Sequence, residues 1–190
     1  TGDLTGDGGL AKDGAGLLTL AGTNAFGMLQ VAEGSAEITS SMTLTGPPVT
    51  SDPALTINGS SILTVASSGE LNVAKGQTRV GVGTNGELTV DGGTANFGTA
   101  AGETGDFART VIGGTGGTGM LNLQSGNVVI GNAASGVGYG SMRVGLGAGA
   151  VGLVDQTGGV FDASNAGSIA IGQDGGTGTY DLSAGTAFLG

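Results

Sequence analysis

The chain has 190 residues, with 44 Gly, 3 Pro, no Cys and a formal net charge of −10 at pH 7. A hydrophobic fraction of 38% with only 11% charged residues excludes the class of chains that are too polar to collapse. Five cations scattered along an acidic sequence predict no nucleic-acid partner, and the lack of Cys excludes disulfides and thiolate metal sites.

The first predicted elements are short strands. Helices are excluded because the longest stretch without Gly, residues 47–58, contains all three prolines. An apolar residue, then Thr or Asn, then another apolar residue recurs along the chain, which predicts strands with apolar side chains inward and the small polar one outward. These triplets are Leu18-Thr19-Leu20, Met42-Thr43-Leu44, Leu55-Thr56-Ile57, Leu63-Thr64-Val65, Leu71-Asn72-Val73, Leu88-Thr89-Val90 and Leu121-Asn122-Leu123.

Residues 46–54 interrupt this pattern with Gly46, Pro47, Pro48 and Pro53. Proline cannot donate to a strand ladder, so we predict a proline-containing corner loop at 46–54. The composition does not change enough there to indicate a second domain. We therefore expect residues 1–190 to form one domain.

The second half contains a loose internal repeat. Two sets of glycines recur along it at similar intervals. The first set is Gly83, Gly113, Gly145 and Gly172, and the second set is Gly93, Gly126, Gly158 and Gly185. Recurrence at a nearly constant interval indicates one structural unit that has been copied. The last unit has three strand-like runs, at 169–171, 179–182 and 187–189. We predict an all-β parallel β-helix (β-solenoid) with about three short strands per coil of roughly 30 residues, and about six coils.

Residues 9–26, GLAKDGAGLLTLAGTNAF, are similar to the autotransporter-associated β-strand repeat, with Phe26 where that family usually has Tyr. Residues 80–190 resemble the glycine-rich repeats of large bacterial surface proteins of autotransporter type. The resemblance implies a right-handed β-helix that is extracellular, at the bacterial cell surface. The chain begins without Met and stops after a strand-like AFLG, so we expect it to be a fragment of a longer protein.

These observations predict a non-enzymatic structural or adhesive protein, a surface stalk or a subunit of a self-assembling fibre or sheath. The expected partners are other copies of the chain, end to end or lateral, or other cell-surface components. We expect no cofactor. No apolar stretch approaches the roughly 20 residues of a membrane span, which predicts no direct membrane insertion.

Two alternative functions remain open. A polysaccharide-active enzyme would need converging carboxylates or a cation beside a base, and Asp155, Asp162 and Asp181 with Arg143 are the candidates, although the chain has neither His nor Trp. A calcium-dependent binding module would use carboxylates in glycine-rich loops. The candidates for that role are Asp3, Asp7, Asp13 and Asp174.

Two other patterns have structural interpretations. The sequence GxGxxG occurs at 114–119 and 147–152, but a strand pattern follows each copy where a nucleotide site needs a helix. Among the seven aromatic residues, Phe97, Phe161 and Phe188 fall near equivalent places, which predicts a stack inside the rod. The other aromatic residues are Phe26, Phe107, Tyr139 and Tyr180.

Overall fold

A computed structural model describes residues 2–46, 52–99, 108–131 and 140–190. Within these residues the chain forms nineteen β-strands and no α-helix, as the glycine spacing predicts. The strands are β1 Gly9–Lys12, β2 Leu17–Leu20, β3 Asn24–Phe26, β4 Met28–Val31, β5 Ser35–Ile38, β6 Ser41–Leu44, β7 Pro53–Ile57, β8 Ser61–Val65, β9 Glu70–Val73, β10 Gln77–Val82, β11 Asn85–Phe97, β12 Arg109–Gly114, β13 Thr118–Ile130, β14 Ser141–Leu146, β15 Val151–Gln156, β16 Val160–Ala163, β17 Ser168–Gln173, β18 Thr177–Leu182 and β19 Thr186–Leu189.

The strands pair in parallel and form three rows. Row 1 is a seven-stranded sheet, β1-β4-β7-β10-β12-β14-β17. Row 2 is β2-β5-β8-β11-β13-β15-β18. Row 3 is β3-β6-β9, the second halves of β11 and β13, β16 and β19. The chain visits rows 1, 2 and 3 in turn, so each strand finds its hydrogen-bonding partners in strands earlier and later in the sequence. The three predicted strands of the last unit lie within β17, β18 and β19, each of which is longer than predicted.

The strand pairing corrects one member in each of the two sets of glycines that the sequence suggests as equivalent. Val80, Ile112, Val144 and Ile171 are paired in succession, so the residues that follow them, Gly81, Gly113, Gly145 and Gly172, are the equivalent glycines. Gly83 lies too far along the chain. In row 3 the pairing of Val160 with Thr186 likewise makes Gly159, and not Gly158, the equivalent of Gly185.

The repeat length is not constant. The intervals between Gly81, Gly113, Gly145 and Gly172 stay close to the predicted length, and the last interval is the shortest. At the start of row 1 the paired residues Leu10, Leu29 and Leu55 follow one another at still shorter intervals. The early strands and their turns are short, so row 1 contains seven strands instead of the six expected. At about 4.8 Å per strand, row 1 extends over roughly 29 Å.

The core fills the space between the rows, and the predicted alternation is confirmed. In β8 and β13 the apolar members Leu63, Val65, Leu121 and Leu123 have no exposed surface, whereas Thr64 and Asn122 between them are partly exposed. Eight polar or charged residues are also buried among the described residues, including Thr89, the polar member of its triplet, and Gln156 in β15. The side-chain amide of Gln156 donates to the carbonyl oxygens of Gly159 and Thr186 at 3.2 and 3.0 Å.

Equivalent corner glycines permit the close approach of rows 1 and 2. Gly113 and Gly145 both have φ +73°. A Cβ at these positions would lie 2.0 Å from the backbone oxygens of Val151 and Thr177 respectively. Contacts below 3.0 Å force the backbone to move, and L-residues disfavour this φ. Only Gly therefore fits where the end of a row 1 strand lies against the start of the row 2 strand one repeat further along, β12 against β15 and β14 against β18.

Two predictions about individual residues are wrong in part. The predicted bounds 46–54 are too long, because Pro53 and Ala54 belong to β7. Pro53 takes the first position of the strand, where proline is tolerated. Residues 47–51 lie outside the described residues. The predicted aromatic stack does not form. Phe97 and Phe161 are both buried but do not align. Phe97 pairs with Ile130, and Phe161 pairs with Val128, two residues earlier on the same strand. Phe188 pairs with the outward-facing Asp162 and is 51% exposed.

Of the four remaining aromatic residues, two lie in or against the core and two lie outside the described residues. Phe26 is buried. The ring of Tyr180 packs edge-on against Phe161, with ring centroids 5.4 Å apart, and its hydroxyl donates to Gln156 Oε1. Burial raises the pKa of Tyr180. Phe107 and Tyr139 lie outside the described residues.

Candidate functional site

The outer surface of row 2 carries a single file of polar side chains, one from each strand. In register order they are Thr19, Glu37, Thr64, Thr89, Asn122, Asp155 and Asp181. Glu87 lies two residues before Thr89 on β11, and its Oε1 accepts hydrogen bonds from Thr89 Oγ1 at 2.9 Å and Asn122 Nδ2 at 3.5 Å. The carboxylate of Glu87 is thus held beside the file of side chains that contains Asp155.

The residues considered for the alternative enzymatic function are only partly brought together. Asp155 and Asp181 are direct register partners on β15 and β18. Asp162 lies in row 3, on β16, and Arg143 lies in row 1, on β14. The arginine and the three carboxylates are therefore divided among the three rows, with Asp155 and Asp181 together in row 2. They do not converge on one bond, as acid–base cleavage of a glycan requires.

The environment of Asp162 does not suit a general acid. The hydroxyl and the backbone N–H of Ser164 donate to Asp162 Oδ1 at 2.6 and 3.0 Å. These two hydrogen bonds hold the pKa of Asp162 below its ordinary value of 3.8. A general acid needs a raised pKa near the working pH, so these contacts stabilise the ionised carboxylate instead.

The calcium candidates are dispersed. Asp3, Asp7 and Asp13 lie near β1, and Asp3 Oδ1 accepts a hydrogen bond from the backbone N–H of Thr23 at 2.8 Å. Asp174 lies in the turn between β17 and β18, at the opposite end of row 1. The part of the chain that the structure describes contains no group of three or more His, Cys, Asp or Glu residues that could hold a metal ion.

Row 1 gathers cations that are far apart in the sequence. Arg79, Arg109 and Arg143 lie on the neighbouring strands β10, β12 and β14. Arg79 and Arg143 are both register partners of Val111, on its two sides. The cations are scattered along the sequence, although Arg79, Arg109 and Arg143 follow one another at about the length of one repeat. That spacing was the signal available in the sequence, and the register adds that Arg79 and Arg143 flank the same residue. Lys12, also in row 1, is buried, and its ammonium donates to the backbone oxygens of Gly14 and Glu33.

Charges are fully segregated among the described strands. The strands of row 1 contain three Arg and one Lys and no acidic residue. Those of rows 2 and 3 contain no cation, and their acidic residues are Glu37, Glu70, Glu87, Asp91, Asp155, Asp162 and Asp181. The described strands therefore form one basic side and two acidic sides.

The two GxGxxG motifs lie at turns between strands. Residues 114–119 and 147–152 form the turns from β12 to β13 and from β14 to β15, and a strand follows each, as predicted. A depression of about 290 Å³ opens on row 2, and Glu87 is the single ionisable residue that lines it. No helix long and apolar enough to cross a membrane occurs among the residues described.

Comparisons with known proteins do not assign the chain to a family. No protein-family model, no curated protein and no solved structure matches it.

Proposed function

We propose that this chain is a non-enzymatic structural protein of the bacterial cell surface, built as a right-handed parallel β-helix with three strands per coil. It acts as a stalk or as the subunit of a self-assembling fibre. The cyclic visits to rows 1, 2 and 3 support the helical path. Continuous parallel ladders give such a rod length and stiffness, because each coil rests on its neighbours.

The observation that carries the self-assembly proposal is the surface at the β17–β19 end. Ile171, Leu182 and Leu189 continue buried rows of the core, since they pair with Val144, Gln156 and Ala163. Those three partners are at most 1% exposed, whereas Ile171, Leu182 and Leu189 are 45%, 47% and 56% exposed. Among the described residues no further strand lies beside the outer edges of β17, β18 and β19, and such edges recruit other chains.

The proposed occupant of this end is the β1–β3 end of a second copy. That contact would extend rows 1 and 2 by the same parallel pairing at β1 and β2 and cover the exposed apolar side chains. In row 3 the outer edge of β3 is already paired with residues 4–6 through the bridge between Thr5 and Ala25, so residues 4–6 would make the contact there. It joins two different surfaces, so it does not close and propagates into a filament. Salt would promote it, because screening weakens the repulsion between subunits of charge −10.

The test uses two neighbouring lysine substitutions. Leu189→Lys places a charge in the inward row, and Phe188→Lys places one on the outer surface of the same strand. We expect the 190-residue chain and Phe188→Lys to form salt-promoted filaments in sedimentation and electron microscopy, and Leu189→Lys to stay monomeric. A chain that is monomeric at high concentration and high salt would contradict the self-assembly proposal.

The surface location rests on the resemblance of residues 9–26 and 80–190 to autotransporter-type repeats. Labelling of intact cells with an antibody against the outer surface of row 2 tests it. Strong labelling before permeabilisation is expected, and labelling only after permeabilisation would contradict it.

A further inference from the structure

The segregation of charge gives the molecule two complementary sides. Arg79 and Arg143 project outward from row 1, and they flank Val111 in register. Two strand spacings separate them, which is about 10 Å at the usual inter-strand distance. Both side chains are partly exposed.

The partners of these two guanidinium groups within the described residues are neutral. Arg79 Nε and Nη2 donate to Gln77 Oε1 at 3.0 and 2.9 Å. Arg143 Nη1 donates to the backbone oxygen of Met142 and to Ser168 Oγ, both at 3.0 Å. These contacts fix the orientation of each guanidinium without neutralising its charge. Each also retains further N–H groups, because arginine carries five donors.

Carboxylates with matching spacing lie on row 2. Glu87 is on β11, the strand that follows β10, and Asp155 is on β15, the strand that follows β14. The pair Glu87 and Asp155 is therefore separated by the same two strand spacings as Arg79 and Arg143. Along the strand, Glu87 lies two residues before the position in register with Asp155. The hydrogen bonds of Glu87 to Thr89 and Asn122 turn its carboxylate toward the file that contains Asp155.

We infer that row 1 of one copy docks side by side on row 2 of a second copy, with Arg79 facing Glu87 and Arg143 facing Asp155. Two rods that lie parallel and level bring both pairs together at once, and Arg–carboxylate pairs are strong and directional. This inference rests on the proposed structural role and extends it from end-to-end growth to lateral assembly.

The size of the surfaces predicts how strong this contact is. A face about 29 Å long and about 20 Å wide buries roughly 600 Å² on each copy, at the low end for specific interfaces. One contact is therefore weak, and many contacts along paired filaments act together. The two faces differ, so the association does not stop at a dimer and produces a ring or an open array of parallel rods.

The test uses chains whose end-to-end contact is already blocked by Leu189→Lys. In that background one double variant, Arg79→Gln with Arg143→Gln, removes the basic face. A second, Glu87→Gln with Asp155→Asn, removes the acidic face. Circular dichroism first establishes that both fold like the blocked parent. Sedimentation velocity at low ionic strength then measures association.

We expect the blocked parent to form oligomers that grow with concentration and dissociate in about 0.5 M salt. Each double variant alone should be monomeric, and an equimolar mixture should stop at a 1:1 dimer, since only one intact face of each kind is present. A monomeric parent, a double variant that associates as the parent does, or a mixture that stays monomeric would each overturn the inference. Loss of association in the arginine double variant but not in the carboxylate double variant would also overturn it, because the basic face would then bind an anionic group other than Glu87 and Asp155.

A failure of the lateral contact can be distinguished from a failure of the end-to-end contact. The lateral contact weakens as salt rises and is measured with the end blocked. The end-to-end contact strengthens as salt rises and is measured with Leu189 intact.

Discussion

Asp155 and Asp181 stand side by side as register partners on the parallel strands β15 and β18. Both are on the outer surface of row 2, where Asp155 is partly exposed and Asp181 is exposed. Like charges directly opposite each other on neighbouring strands repel. The last two strands of row 2 therefore carry an unfavourable pair, which a cationic partner would relieve.

Removal of one charge from this pair should stabilise the isolated protein. We expect Asp181→Asn to raise the Tm by about 1–3 °C at low ionic strength, with a smaller gain at high salt. Asp174→Asn changes the net charge equally but lies in a turn, so it serves as the control and should leave the Tm nearly unchanged. Equal effects of the two substitutions in thermal unfolding would show that net charge, and not the pair, is responsible.

The inward and outward assignment of β13 predicts opposite responses at adjacent positions. Leu121 is fully buried between Leu88 and Val154. Leu121→Asp should lower the free energy of unfolding by more than about 3 kcal/mol, because it removes apolar burial and places a carboxylate in the core.

The matched control for Leu121→Asp is Asn122→Thr. It should change stability by no more than about 0.5 kcal/mol, since Thr already occupies the equivalent places on β8 and β11. Asn122→Asp is a poorer control because Asn122 donates to Glu87 and pairs with Asp155. Similar losses for Leu121→Asp and Asn122→Thr in denaturant unfolding would refute the assignment.

The hydrogen bonds to Asp162 predict a stability contribution that depends on pH. Its pKa is held below 3.8 in the folded protein, so the contribution is fully present above the pKa of the unfolded state and is lost as pH falls through the folded pKa. Ser164→Ala should raise the pKa of Asp162 toward its ordinary value. The Tm difference from the parent should be largest above about pH 5 and disappear at the acid end.

The control for this pH dependence is Ser68→Ala. Ser68 Oγ donates to the backbone oxygen of Thr39 at 2.8 Å, which does not titrate. Its Tm difference should not vary with pH. NMR titration of the Asp162 carboxyl group checks the pKa change directly, and an unchanged titration in Ser164→Ala would contradict the assigned cause.

Two glycines with similar backbone angles should lose different amounts of stability when they are replaced by Ala. Gly145 and Gly149 have φ +73° and +70°, so Ala at either position costs about 1–2 kcal/mol of backbone strain. At Gly145 the new Cβ would also lie 2.0 Å from the backbone oxygen of Thr177, whereas at Gly149 the nearest atom lies at 3.9 Å. We expect Gly145→Ala to lose about 3 kcal/mol or more in denaturant unfolding. A loss no larger than that of Gly149→Ala would show that the corner has room.

The sequence by itself determined the local geometry of this protein. Glycine spacing excluded helices, and triplets such as Leu63-Thr64-Val65 fixed which side chains face the core, because alternation along a strand depends only on neighbouring residues. The candidate site was less predictable. Asp155, Asp162 and Asp181 could be named, but their separation into rows 2 and 3 depends on how the turns orient each strand.

Only the tertiary structure decided which repeats align with which. The chain has 44 glycines, so the sequence pattern led to Gly83 as the anchor, whereas the pairing of Val80 with Ile112 selects Gly81. The same register turned Phe188 outward and placed Arg79, Arg109 and Arg143 on one side. Contacts between strands of successive repeats depend on the length of every intervening corner, and a shift of one residue exchanges core and surface.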